Sequence, residues 1–255
     1  MESLLRMVTT LGVVEVRRTT DVPFLTACRR LGGKSLLEWV VRRMTDSLRL
    51  DRVVVLCPQI PQADEIADNV PRDIALVISD RADALSRLNH VLDQHPAEAF
   101  VCVAAEHPFV DPELIDRLIT TAANHPESDY IGFRSRTGRP AVSSPLGVIG
   151  EWIRARALKQ ANLEAIESQQ RNHAAGFLCA HPERFQLRLI PVPQELDRDD
   201  LRLTISSEED WEHALAIYEA LGPEQLDYHR IACLLDHQPA LRQRMATLNR
   251  TVGAA

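Results

Sequence analysis

Continuous apolar runs alternate with segments of helical spacing through the first 125 residues. The runs are rich in Val, Ile and Leu, which is typical of parallel strands that are covered on both faces. They lie at 12–16, 51–58, 74–78 and 101–105. Between them, apolar residues recur every three or four positions and predict helices that start after Ser35, at 63–69, after Asp80 or Asp83, and at 112–124. Four such alternations favour right-handed strand–helix–strand units and a mostly parallel sheet.

The second half of the chain is less regular. Its patterns predict strands at 130–133, 175–180, 187–192 and 201–205, a loop at 140–150, and helices at 152–168, 211–221, 225–235 and 240–249. Ser207 and the three acids after it are typical of a helix start. We therefore expect one α/β domain over residues 1–222, with a helical tail over 223–255 packed on it.

One turn is the best candidate for a site. The apolar run at 101–105 leads directly into Glu106, His107 and Pro108. In an open α/β sheet, ligands bind beyond the carboxyl ends of the strands. Glu106, the only acid directly after this strand, is therefore a candidate for chemistry, whereas His107 beside a proline is typical of a turn residue.

Composition narrows the function without assigning it. A formal charge of −7 over 255 residues gives no footprint for duplex nucleic acid, although a single nucleotide needs only a local cluster of donors. Five cysteines, widely spaced, are typical of reduced thiols in a cytoplasmic protein. No stretch is long and apolar enough to insert into a membrane.

Several segments, taken in order, carry a family resemblance. They are residues 31–38, 51–55, 82–87, 106–112, 145–147 with Glu151, 171–173, 181–185, 202–210 and 217–221. With them the chain resembles the cytidylyltransferase-like family of spore coat polysaccharide biosynthesis proteins, relatives of the CMP-ketodeoxyoctonate and CMP-sialate synthetases. The resemblance implies a three-layer α/β/α sandwich of the nucleotide-diphospho-sugar transferase (GT-A-like) type, with a mixed, mostly parallel central sheet.

The same resemblance implies a chemistry. In such a transfer a sugar oxygen attacks the α-phosphate of CTP and pyrophosphate leaves, with Mg²⁺ and positive side chains over the triphosphate. By this resemblance Arg17 and Arg18 would contact phosphates and Glu106 would hold Mg²⁺. The residues that would line the substrate site are Asp83, Arg87, Glu151 and His173. Asp83 and Arg87, four apart on one helix, also fit a plain ion pair. Relatives often pair as dimers, so a homodimer is left open.

The sequence also departs from the family pattern. Val22 and Thr26 stand where an arginine and a lysine are expected, Glu106 replaces one metal-binding aspartate, and Ser206 replaces the second. A neutral hydroxyl is a poorer ligand for magnesium than a carboxylate is. These changes support an alternative, a catalytically inactive relative that binds a ligand or a partner protein. A sugar transferase with a different donor is a third hypothesis.

Overall fold

The computed structural model describes residues 8–17 and 26–252. Within them, seven strands form one sheet in the order β5-β4-β1-β6-β8-β7-β9, and β2 pairs with β3 in a small separate hairpin. The strands are β1 (Val8–Glu15), β2 (Arg30–Leu31), β3 (Lys34–Ser35), β4 (Arg52–Pro58), β5 (Ala75–Ser79), β6 (Ala97–Ala104), β7 (Tyr130–Arg134), β8 (Glu151–Arg154) and β9 (Leu187–Pro191).

Helices cover both faces of this sheet. They are α1 (Leu36–Thr45), α2 (Ala63–Asp68), α3 (Ala84–Gln94), α4 (Pro112–Asn124), α5 (Ala155–Glu164), α6 (Ser168–Arg171), α7 (Gly176–Ala180), α8 (Glu208–Leu221), α9 (Tyr228–Asp236) and α10 (Pro239–Val252). The expected three-layer sandwich with a mixed, mostly parallel sheet is confirmed. Across residues 8–17 and 26–252, no helix has the length and apolar character needed to cross a membrane.

Alternation along the central strands builds two cores. Along β6, Val101 and Val103 pack into the core that contains residues of α1, α4, α8, α9 and α10. Phe100 and Cys102 face the opposite way, into the core that contains residues of α3, α5 and α7. Because successive strand residues point to opposite faces, a strand covered on both sides is apolar throughout.

Polar side chains start the helices where the sequence predicts. Ser35 accepts a hydrogen bond from the amide of Glu38, which caps α1. Asp83, rather than Asp80, caps α3 by accepting from the amide of Ser86. Ser207 caps α8 in the same way. Each side chain satisfies an amide that has no partner in the first helical turn.

Three predictions for the second half are wrong. Residues 152–154 belong to strand β8 rather than to a helix, since Trp152 and Ile153 are buried in opposite cores. The run at 175–180 contains helix α7 instead of a strand, because periodicity cannot distinguish a short apolar run. Residues 201–205 form no strand, because their amides bond to loops.

The segment at 201–205 is held between the loop before β8 and the turn after β6. The amides of Leu203 and Thr204 both donate to the carbonyl of Pro145, and the amide of Ile205 donates to the carbonyl of Glu106. Gly147 has φ +64°, and a Cβ there would lie 2.5 Å from the carbonyl carbon of Leu203. The glycine therefore permits a backbone approach that no other residue could make.

We predict that Gly147→Ala destabilises the fold by about 3 kcal/mol, because left-handed backbone strain adds to a steric overlap with main-chain atoms. Gly138→Ala is the matched control, since Gly138 has φ +81° with open space around its missing Cβ. The control should cost only about 1 kcal/mol. Urea unfolding of both variants measures the difference, and equal costs would contradict the close approach.

Candidate active site

Three strands bring polar side chains to one edge of the sheet. β1 pairs in parallel with β6, with Glu15 opposite Ala104, so both strands end together. β8 runs antiparallel to β6, with Glu151 opposite Cys102, so β8 begins where β6 ends. Paired residues point to the same face of a sheet. Glu15 and Glu151 therefore project on one face at the carboxyl edge.

Glu15 is a buried acid between two arginines. The residue is only 4% exposed, and its carboxylate lies 3.3 Å from Nη2 of Arg87 and 3.6 Å from Nε of Arg17. Arg87 also donates to the carbonyl of Ala82. Its Nε is buried without a hydrogen-bond partner in the part of the chain that the structure describes. A buried charge pair of this kind is costly to break by removing one partner.

Arg17 is an exposed cation in the neighbourhood of three carboxylates. It lies just beyond β1 and its side chain is 44% exposed. Its charge interacts with Glu15, Glu106 and Glu151, which we call the glutamate cluster. Because Arg17 alone of these four groups is substantially exposed, it is the part of the cluster most available to an anionic ligand.

Glu106 occupies the predicted turn after β6. Burial raises the pKa of its carboxyl to about 7, against the opposing effects of the Arg17 charge and of hydrogen bonds from backbone amides. Burial also lowers the pKa of His107 to about 3, and the charge of Arg17 acts in the same direction. Near neutral pH, this turn therefore presents a half-ionised carboxyl beside a neutral imidazole.

Glu151 joins a tyrosine and a histidine. The hydroxyl of Tyr130 donates to Oε1 of Glu151 over 2.7 Å, and Nε2 of His173 lies 3.4 Å from Oε2. Nδ1 of His173 accepts a hydrogen bond from the amide of Ala175. That bond leaves Nε2 as the protonated nitrogen of the neutral ring, directed at Glu151.

Asp83 and Arg87 do not pair with each other as their spacing suggested. Asp83 accepts from the amide and hydroxyl of Ser86 and from Nε of Arg171, while Arg87 turns to Glu15. Both side chains are thus committed to contacts within the protein. Arg18 and Val22 lie outside the described residues, and Thr26 is 8% exposed at the start of a short 3₁₀ helix.

Ser206 is held in a separate network. Its hydroxyl accepts from Nη2 of Arg202 over 2.7 Å and donates to Oδ2 of Asp210 over 3.0 Å. Arg202 and Asp210 form a buried pair, and Asp210 also accepts from the amide of Ser206. Burial alone would raise the pKa of Asp210, but hydrogen bonds from Arg202 and Ser206 lower it. Asp210 is therefore an ionised partner of Arg202, not a free carboxylate.

The fit to a divalent cation is limited. In residues 8–17 and 26–252, no group of three or more His, Cys, Asp or Glu side chains is arranged to hold a metal ion. Magnesium usually binds one or two carboxylates together with phosphate oxygens of the substrate. Glu106 fits the role of one such carboxylate, so the described residues suit a metal that arrives with a nucleotide better than a preformed metal cage.

Two residues of the candidate site were not identified from the sequence. Glu15 lies inside the strand predicted at 12–16 and is the last residue of β1, so the rule that selected Glu106 at a carboxyl edge could have selected it too. In the sequence, Tyr130 has the pattern of an ordinary core residue of a strand. A Cβ at Gly132 would lie 2.4 Å from the hydroxyl of Tyr130, so Gly132 makes room for it, but one sequence cannot show that relation.

Comparison with known proteins decides the family. The family model described as cytidylyltransferase matches residues 27–243. The chain belongs to the cytidylyltransferase family. It is 26% identical over 218 residues to the spore coat polysaccharide biosynthesis protein SpsF of Bacillus subtilis (strain 168), a match that covers 83% of this chain and 87% of that one.

Solved structures agree in fold. A cytidylyltransferase from Leptospira borgpetersenii superposes with a TM-score of 0.77 at 17% identity, over 93% of this chain and 97% of that one. A CMP-2-keto-3-deoxy-manno-octonic acid synthetase complexed with CTP superposes with a TM-score of 0.63 at 12% identity, over 83% and 99% of the two chains. At these identities the likeness establishes the shared fold.

We predict that Glu106→Gln becomes more stabilising as pH rises. The folded protein retains the Glu106 proton up to about pH 7, whereas an unfolded chain releases it near the ordinary value of 4.5. The free energy of unfolding of the wild-type protein therefore falls as the pH rises from 4.5 to 7. The neutral amide avoids this fall, which amounts to about 3 kcal/mol above pH 7. Urea unfolding from pH 4.5 to 8 measures it.

The exposed Glu183→Gln controls for the loss of one negative charge in this experiment. A stability difference for Glu106→Gln that stayed constant across the pH range would contradict the raised pKa.

Proposed function

We propose that this member of the cytidylyltransferase family transfers a cytidylyl group from CTP to a sugar of surface-polysaccharide metabolism. The observation that carries the proposal is that Arg17 and Glu106 lie just beyond the ends of the paired strands β1 and β6, at the carboxyl edge of the sheet where α/β folds bind ligands. In the reaction, a sugar oxygen forms a bond to the α-phosphorus of CTP, the bond from that phosphorus to the bridging oxygen breaks, and pyrophosphate leaves. The proton of the attacking hydroxyl is released.

The contacts of the residues at the carboxyl edge indicate a role for each of them in this reaction. Arg17 donates to the phosphates, since it is exposed and always charged. Glu106 would hold Mg²⁺, which supplies charge neutralisation over the triphosphate when it is bound. The partly exposed ring of His173 contacts the sugar, and the buried Glu151 holds that ring in place. Asp83 stabilises this edge of the sheet through its bond to Arg171, and Arg87 does so through its bond to Glu15.

The network around Ser206 favours the second candidate, a catalytically inactive relative that binds a ligand or a partner protein. The family position for a second metal carboxylate carries a hydroxyl that is already bonded to Arg202 and Asp210. The glutamate cluster adds negative charge where a triphosphate would lie. Both features weaken CTP binding relative to a site with two free metal carboxylates.

Calorimetric titration of CTP with Mg²⁺ separates the two candidates. We predict that wild-type protein binds CTP and that Arg17→Ala weakens binding by at least about tenfold, since a hydrogen bond to a charged group contributes about 1.5–3 kcal/mol. Arg136→Ala is the control, because Arg136 is an exposed arginine that pairs with Asp199. Absence of binding heat in the wild-type protein would refute the enzyme proposal and support the inactive relative.

We predict that a second carboxylate at position 206 improves metal binding only while Asp210 keeps its charge. Ser206→Asp alone would set two acids against one arginine, because the Ser206 hydroxyl lies 3.0 Å from Oδ2 of Asp210. With Asp210→Asn in addition, the new carboxylate would be the acid that pairs with Arg202, because Nη2 of Arg202 lies 2.7 Å from the Ser206 hydroxyl. The single variant should bind Mn²⁺ with CTP about tenfold more tightly and release pyrophosphate faster, and the double variant should show neither gain.

Asp210→Asn alone is the control for this double variant, since it leaves Ser206 unchanged. Unchanged Mn²⁺ affinity in Ser206→Asp would show that the missing carboxylate is not what limits the site.

A further inference from the structure

Arg171 uses every hydrogen-bond donor of its side chain. Nε donates to Oδ2 of Asp83 over 3.0 Å, and Nη2 donates to the hydroxyl of Ser86 and to Oδ1 of Asn162. Nη1 donates to the carbonyls of Asn162 and Ala165 over 3.0 and 2.8 Å. A guanidinium has five N–H groups, so its capacity is filled entirely within the protein.

These contacts tie three helices together. Asp83 is the N-terminal cap of α3, Asn162 and Ala165 lie at the C-terminal end of α5, and Arg171 is the last residue of α6. Burial alone would raise the pKa of Asp83, but its hydrogen bond and charge interaction with Arg171 lower it. The side chain of Arg171 is 20% exposed, so the pair is partly shielded from water.

His173, two residues after Arg171, contacts Glu151 of the glutamate cluster. His173 lies in the turn that follows α6, with Nε2 directed at Glu151 and Nδ1 accepting from the amide of Ala175. The helix before it has only four residues and buries none of them. Since such a short helix has little packing of its own, the five bonds of Arg171 are the main polar attachment of this segment.

We propose that Arg171 is a positioning residue that fixes the ring of His173, in one tautomer, against Glu151. Lysine could not replace it, because an ammonium concentrates three donors on one atom and cannot span acceptors on two helices. The effect of Arg171 on sugar binding rests on the proposed function, whereas its effect on the ring of His173 does not. Arg171 itself contacts no substrate.

The experiment compares Arg171→Lys with Arg184→Lys in the full chain. Arg184 pairs with Glu164 at the end of the same helix α5 but makes no other side-chain hydrogen bond among the described residues. Long-range ¹H–¹⁵N spectra at pH 8 report the His173 tautomer. We expect a single Nε2–H form in wild type and in Arg184→Lys, and a mixture of both tautomers in Arg171→Lys.

Kinetics provide the second measurement. With active protein, Arg171→Lys should raise KM for the sugar at least fivefold while KM for CTP changes less than twofold. Asp83→Asn is a milder variant, because asparagine still caps α3 but loses the charge, and it provides the tautomer measurement if Arg171→Lys does not fold.

Identical His173 spectra in wild type, Arg171→Lys and Asp83→Asn would overturn the proposal. A tautomer mixture in protein that neither binds CTP nor releases pyrophosphate would support the positioning role of Arg171 and count against the proposed function alone.

Discussion

The antiparallel insertion of β8 between β6 and β7 is the constraint on which the candidate site depends. Were β8 parallel to β6, Glu151 would lie at the opposite edge of the sheet, far from Glu15 and Glu106. Because β8 begins where β6 ends, its first residue joins two strand ends that the parallel pairing of β1 and β6 has already brought together. Tyr130, from the neighbouring strand β7, then reaches Glu151 across the sheet.

The buried charges near the candidate site are compensated in acid–arginine pairs. The buried carboxylate of Glu15 is compensated by Arg87, and the buried Arg202 by Asp210. Both of these arginines are buried and already paired with an acid, so Arg17 is the exposed cation through which the described site can attract an anion. Burial raises the pKa of Glu106, and the charge of Arg17 only partly opposes that effect.

The sequence predicted what depends on local patterns and failed where distant contacts decide. Continuous apolar runs identified the central strands, and polar caps located the starts of α1, α3 and α8, because burial on both faces and unpaired amides leave local signals. The segment at 201–205 alternates like a strand, yet its amides bond to Pro145 and Glu106, which no local pattern reveals. Glu106 was found by its position after a strand, while Tyr130 and the partners of Ser206 were found only through tertiary contacts.

The two candidate functions differ in where the missing positive charge would come from. A triphosphate that entered the described edge alone would meet three carboxylates and one available arginine. A nucleotide that brings a divalent cation changes the balance, because the cation offsets phosphate charge and offers Glu106 a partner that favours its ionised form. Metal and nucleotide should therefore bind as a unit, and each should strengthen the binding of the other. A relative that had lost catalysis would have no need of that coupling, so the mutual dependence of CTP and metal binding distinguishes the candidates more directly than affinity for either alone.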